Sequence, residues 1–300
     1  MRSVFAVSHE VASALEARRP VVALESTIIT HGFPYPANLE CALEAERVAR
    51  EEGAVPATIG VVQGVLTVGL AAQDIERFAS ARDIAKASRR DLPVLAARGD
   101  DGGTTVAATM VAAAHVGIRV FATGGIGGVH RGAERTFDVS ADLEELARTD
   151  VAVVCAGAKS VLDIGLTLEY LETVGVPVLG YRTDDFPAFY TPTSGFPVPH
   201  RVESPAEIGR IIEAKRALGL VGGTVIANPI EHRHALEPVE LERITSEALA
   251  AALGEGVTGK NVTPFLLAAI HKATGGASEE ANRQLVFANV RLAARVAAEL

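Results

Sequence analysis

Lys159 stands in the stretch Cys155-Ala-Gly-Ala-Lys-Ser160, directly after the most apolar run of the chain, Val151–Cys155. An amine among apolar neighbours is favoured in its neutral form, and a neutral amine attacks carbonyl carbons and forms imines. Arginine stays charged and cannot take that role. The competing use of such a lysine is a strand-end charge whose stem reaches to solvent. Composition sharpens the choice. Of 28 basic residues, 23 are Arg and five are Lys: Lys86, Lys159, Lys215, Lys260 and Lys272. Lys215 and Lys272 read as ordinary helix-surface charges, and Lys260 lies in a GKNVTP turn. Lysine scarcity sets the amine role of Lys159 level with that of a strand-end charge.

Glu25 closes the run Val21–Leu24 and precedes Ser26 and Thr27. A partly buried carboxyl is pushed toward its protonated form and can act as a general acid; a cap or a strand-end ion pair is the commoner use. Two glycine-rich stretches offer backbone N–H groups to an anion. One is Thr123-Gly-Gly-Ile-Gly-Gly128, the other Gly102-Gly-Thr-Thr105 at an expected helix start. Neither matches the P-loop or the dinucleotide-binding spacing, and tight turns would explain both. Lys86, followed by Ser88, Arg89 and Arg90, could add positive charge, or lie on a solvated helix face. Ser140 is an expected N-cap with Asp142 in the first turn, where negative charge is favoured. Asp138 precedes the cap and is free to reach a ligand. One carboxylate can hold Mg²⁺ or Mn²⁺ through waters.

These residues need elements to place them. Short β-branched runs alternate with helical patterns, which predicts an α/β fold with a largely parallel sheet covered on both faces. Strands are expected at Val21–Leu24, Ala57–Val62, Val65–Val68, Arg119–Ala122, Val151–Cys155 and Pro177–Tyr181. Helices are expected over Asn38–Glu52, Gly102–Val116, Leu143–Arg148 and Val161–Val174. Further helices start at Ser204-Pro205, Thr263-Pro264 and Ser278. In such sheets ligands bind beyond the carboxyl ends of strands, so Glu25, Thr123–Gly128 and Lys159 could converge. Tyr181–His200 holds four Pro and five of the fourteen Phe and Tyr residues. It reads as a rigid loop, either an active-site lid or a subunit contact.

Composition sets the outer limits. The 300 residues are 48% hydrophobic, enough for a large core, and show no linker, so a single domain, 1–300, is expected. The net charge of −9 argues against nucleic acid or an anionic membrane as partner, because both need a basic surface. Any phosphate must be held locally. Cys41 and Cys155 cannot form a disulfide framework or a closed zinc site. No signal peptide or membrane span is expected, and the chain reads as cytoplasmic.

Several long segments, in order, carry a resemblance: ALESTIITHGFPYP, IAKASRRD, GGTTVAATM, FATGGIGGVHRGAE with TFDVSADL, VVCAGAKSVLDI, SGFPVPHRV and EEANRQLVFANVRLA. They resemble the pseudouridine-5′-phosphate glycosidases, the indigoidine synthase A-like family. The resemblance implies a three-layer α/β/α fold and a homotrimer. It implies reversible cleavage of pseudouridine 5′-phosphate to uracil and ribose 5-phosphate, with a divalent metal, commonly Mn²⁺. It makes Glu25 the proton donor, Lys159 the covalent nucleophile and Asp138 a metal ligand. Lys86, Val106, Ser140, Ala141 and Asp142 are expected to contact substrate, and Asn282 the base.

Overall fold

A computed structural model describes residues 3–257 and 262–300. Lys260 lies outside the described residues, as do the side chains of Thr263 and Pro264. The strands are β1 (Phe5–Val7), β2 (Val21–Leu24), β3 (Val55–Val62), β4 (Val65–Val68), β5 (Ala85–Ala87), β6 (Gly102–Thr104), β7 (Val120–Ala122), β8 (Val129–His130), β9 (Ala152–Cys155), β10 (Leu162–Asp163), β11 (Val178–Tyr181), β12 (His200–Val202) and β13 (Thr224–Ala227). The main sheet runs β1-β4-β3-β2-β7-β9-β13-β11-β12, with β6 on β3 and β5 on β6. From β3 through β2, β7, β9, β13 and β11 to β12 every pairing is parallel; β3–β4 and β3–β6 are antiparallel. The expected α/β architecture with a largely parallel sheet is thus present.

The central strands are buried at every position, which is why they read as unbroken apolar runs. Helices Ala37–Glu51 and Ala277–Ala297 pack together across one face of the sheet. Helices Val106–Val116 and Ala141–Leu146 pair with each other on the opposite face. Among the described residues no helix is long and apolar enough to cross a membrane.

Three expectations change. Gly102–Thr104 is a strand, not the start of a helix; the helix begins at Val106, capped by the Thr105 hydroxyl. A Cβ on Gly102 would stand 2.6 Å from Leu95 Cδ1, and one on Gly103 2.2 Å from Thr30 Oγ1, so these glycines serve close packing. Lys86 sits on strand β5, paired to Gly103, rather than on a helix face. Lys215 is buried, not a surface charge: it pairs with Asp150 at 3.0 Å and also donates to the Gly222 carbonyl.

Tyr181–His200 is neither a free lid nor wholly a surface contact. Phe186, Phe189 and Tyr190 are buried in the core. Phe189 N donates to Ala156 O at 2.9 Å, which fastens the segment to the turn leading to Lys159.

Candidate active site

Strands β2, β7 and β9 are neighbours, and all three point their carboxyl ends the same way. Glu25, then Thr123, Gly124, Gly125 and Gly127 of the glycine-rich loop, and Lys159 follow those ends and line one cavity of about 780 Å³. Lys86, Val106, Asp138 and Asn282 line the same cavity, as do Ser140, Ala141 and Asp142. The nine residues to which the resemblance gives a role therefore line one pocket, while Gly102–Thr104 of the second glycine-rich stretch do not.

Glu25 is held from two sides. Thr27 donates its hydroxyl to one carboxylate oxygen and Thr123 donates to the other. Thr27 opens the short helix Thr27–His31, while Thr123 extends β7, so the acid is clamped between two elements. Beneath it, buried Ser26 donates to Ile59 O at 2.6 Å and accepts from Thr104 N at 2.9 Å. That network ties β6 to the floor of the site.

Lys159 ends a turn that interlocks with the glycine-rich loop. Ile126 N donates to Gly157 O at 3.1 Å, and Lys159 N donates to Ile126 O at 3.2 Å. Gly157 has φ +77°, and a Cβ there would stand 1.9 Å from Pro187 O. Only glycine fits between the Lys159 turn and the aromatic segment.

Asp142 is architectural as well as pocket-lining. Its buried carboxylate accepts from Ala107 N at 3.0 Å and from Gly127 N at 2.9 Å. It thus joins the start of helix Val106–Val116 to the glycine-rich loop, and the Ser140 hydroxyl accepts from its own N–H at 3.2 Å. Gly127 has no room for a side chain, since a Cβ would lie 2.1 Å from Ser140 Oγ.

The cavity has two chemically distinct ends. At one, Lys86 and Ser88 stand beside Thr105 and Val106 at the N-terminus of an 11-residue helix. Helix ends of this kind favour anions. Arg89, nearby, is committed to the buried Glu145 carboxylate, which it meets with both oxygens at 2.7 Å. At the other end, Phe189, Gly124 and Gly125 form a wall with Asn282. Asn282 Oδ1 is buried without a hydrogen-bond partner among the described residues. An orphan acceptor in a pocket wall suits a ligand N–H.

Asp138 Oδ2 lies 4.0 Å from His130 Nδ1. Burial holds His130 below its ordinary value against the pull of Asp138, and Lys159 and Lys86 add to the lowering. The described residues contain no group of three or more His, Cys, Asp or Glu that could hold a metal. One carboxylate beside one imidazole does fit a divalent ion that keeps most of its waters.

Sequence reasoning missed three positions. Thr123 reads in the sequence as the start of a glycine-rich strand end, with no role for its side chain, and its hydroxyl proves to hold Glu25. Asn228 and Asn289 were given no role. Asn289 lies fully buried on the C-terminal helix and donates to Thr123 O at 2.8 Å. Its signal was legible: a lone amide inside the core-facing pattern Leu285-Val-Phe-Ala-Asn-Val290.

The sequence profile described as "indigoidine synthase A like protein" matches residues 10–299. A pseudouridine-5′-phosphate glycosidase of Hahella chejuensis is 56% identical, with 99% of each chain covered. One of Escherichia coli K12 is 54% identical over 98% of this chain and 94% of its own. Among solved structures, the prealnumycin C-glycosynthase AlnA in complex with ribulose 5-phosphate is 44% identical, with TM-score 0.92, covering 100% of this chain and 98% of its own. An indigoidine synthase A-like protein of Thermotoga maritima is 33% identical, with TM-score 0.91, covering 100% and 97%. With matches of this length and strength, the chain belongs to the indigoidine synthase A-like family.

Proposed function

We propose that this protein is a pseudouridine-5′-phosphate glycosidase. It cleaves the C–C bond between ribose C1′ and uracil C5, through ring opening and an imine on Lys159. The observation that carries the reading is that Glu25 and Lys159, at the carboxyl ends of β2 and β9 on either side of β7, face one cavity with an anion-favouring end and an aromatic end. Relatives named for this activity at 52–56% identity support the substrate assignment.

The chemistry follows from the bond. The base is attached through carbon, so protonating a glycosidic heteroatom cannot release it, and the usual pair of carboxylates is insufficient. Glu25 gives its proton to the ring oxygen as the C1′–O bond breaks, and Lys159 Nζ bonds to C1′. The new C–N bond leaves a secondary ammonium, whose proton returns to Glu25. The nitrogen lone pair then forms the C=N bond while the C1′–C5 pair goes to uracil C5, which takes the proton from Glu25. Water adds to the imine, ribose 5-phosphate leaves, and the amine is restored.

Lys86 and the helix start at Val106 hold the phosphate, the N–H groups of Thr105 and Ala107 being given to Ala87 O and the Asp142 carboxylate. Ser140, Ala141 and Asp142 shape the ribose region between the two ends, and Asn282 accepts an N–H from the base. Asp138, with His130 beside it, is the place for a divalent ion, Mn²⁺ by family resemblance. When bound, such an ion would polarise its waters and nearby sugar hydroxyls. A cytoplasmic homotrimer is part of the same proposal, and light scattering tests the trimer.

The decisive assay is chromatographic detection of uracil released from pseudouridine 5′-phosphate, with and without Mn²⁺. Uracil and ribose 5-phosphate in equal amounts are expected. Binding of ribose 5-phosphate without uracil release would reduce the protein to a sugar-phosphate binder. An adduct on Lys159 with uracil a poor co-substrate would instead favour a C–C ligase acting on another partner. The likeness to a C-glycosynthase makes that the second reading.

A further inference from the structure

Behind the pocket, two asparagines join three strand ends. Asn228 follows β13; its backbone N–H donates to Cys155 O at 2.8 Å, at the end of β9. Its side-chain Nδ2 donates to Asn289 Oδ1 at 3.0 Å. Asn289 Nδ2 then donates to Thr123 O at 2.8 Å, with a longer contact to Gly124 O at 3.4 Å. Thr123 N donates to Val154 O at 3.0 Å, and its hydroxyl donates to Glu25. Asn289 is fully buried and faces the backbone rather than the cavity, and neither asparagine lines the pocket.

A buried amide has to satisfy its hydrogen-bonding groups. Burying Asn289 here, braced by the half-buried Asn228, is costly unless the pair fixes something that plain packing would leave loose. What they fix is the point where β7 ends and the glycine-rich loop begins. We infer that the Asn228–Asn289 pair positions Thr123, and through its hydroxyl the Glu25 carboxylate, for proton delivery to the substrate. The inference rests on the glycosidase reading above. Neither asparagine touches substrate. They are positioning residues, and their effect falls on the rate of the acid-assisted step more than on binding.

The experiment measures kcat and KM for uracil release from pseudouridine 5′-phosphate, with thermal midpoints. The variants are Asn228→Ala, Asn289→Ala, Thr123→Val and the double variant Asn228→Ala/Thr123→Val. Loss of positioning should lower kcat of Asn228→Ala about tenfold, within the range set by small misplacements of catalytic groups. KM should stay within about twofold, because the pocket lining is untouched. Asn228 is only half-buried, so this variant decides the matter if Asn289→Ala fails to fold. In the double variant the loss should match that of Thr123→Val alone, since both act through one hydroxyl. Multiplying losses, or kcat within twofold of wild type in the single asparagine variants that fold, would overturn the positioning role while leaving the glycosidase reading intact. A wild-type protein that releases no uracil would overturn the glycosidase reading, and this inference with it.

Discussion

Replacing Asp142 by alanine tests the idea that one carboxylate holds the pocket together. Its two oxygens are the acceptors for Ala107 N–H at 3.0 Å and Gly127 N–H at 2.9 Å. Ala107 is buried away from the cavity, so water does not readily replace its lost partner, whereas Gly127 borders the cavity. A buried donor left unsatisfied costs about 1–3 kcal/mol, so Asp142→Ala should destabilise the fold by about 1–6 kcal/mol, depending on how far water serves Gly127. Asp142→Asn keeps one acceptor and turns an NH₂ toward the other amide, so it should cost about half as much. The assay is urea unfolding at one protein concentration, with the m-value unchanged as the check that both states are comparable. Uracil release should fall in parallel, because the loop Gly124–Gly128 loses its tie to the helix. A loss below about 1 kcal/mol in the alanine variant would refute the clamp, since it would mean that neither N–H depends on the carboxylate.

Three further outcomes are expected. Gly157→Ala places a methyl 1.9 Å from Pro187 O at φ +77°; overpacking with backbone strain should cost about 1–3 kcal/mol or more and lower activity, read by thermal melting and uracil release. Glu46 donates nothing but accepts from the Thr58 hydroxyl at 2.6 Å, and burial raises its carboxyl above the usual value, against the lowering by Thr58 and Arg50 and with Glu10 adding to the raise. A folded value above the unfolded one gives stability at low pH that is lost as pH rises through the folded value. Glu46→Gln should therefore raise the melting temperature at pH 8, and by less at pH 5; an equal gain at both would contradict the burial argument. Cys41 and Cys155 are buried, with thiols pushed up to about 12 chiefly by burial. Native protein at pH 8 should resist iodoacetamide at both, and label at both once unfolded.

What the sequence made legible was set by strong local signals. β2, β7 and β9 are apolar on both faces, so their runs stand out, and the chemistry-bearing residues follow immediately at their ends. Ser204 with Glu207 announced helix Pro205–Ala217, whose N-cap geometry is present at 3.2 Å. Gly102–Thr104 misled because three residues carry no usable period, and pairing with β3 decides their form. Lys215 misled because the helical pattern cannot show that Asp150 and the Gly222 carbonyl await it from another segment. Asp142 was legible as a first-turn acid, but not as an acceptor for two amides distant in sequence. Thr123 and Asn228 share that fate: each looks ordinary alone, and even Asn289, a lone amide in a core-facing pattern, shows no partner until β7, β13 and the last helix meet.

The central claim is that Lys159 bonds to the sugar carbon during turnover. Borohydride added to protein turning over pseudouridine 5′-phosphate should reduce the imine and leave a ribose 5-phosphate adduct on the peptide containing Lys159, detected by mass spectrometry. Lys159→Ala should show neither adduct nor uracil. An unmodified Lys159 in protein that releases uracil, or full turnover by Lys159→Ala, would contradict the account.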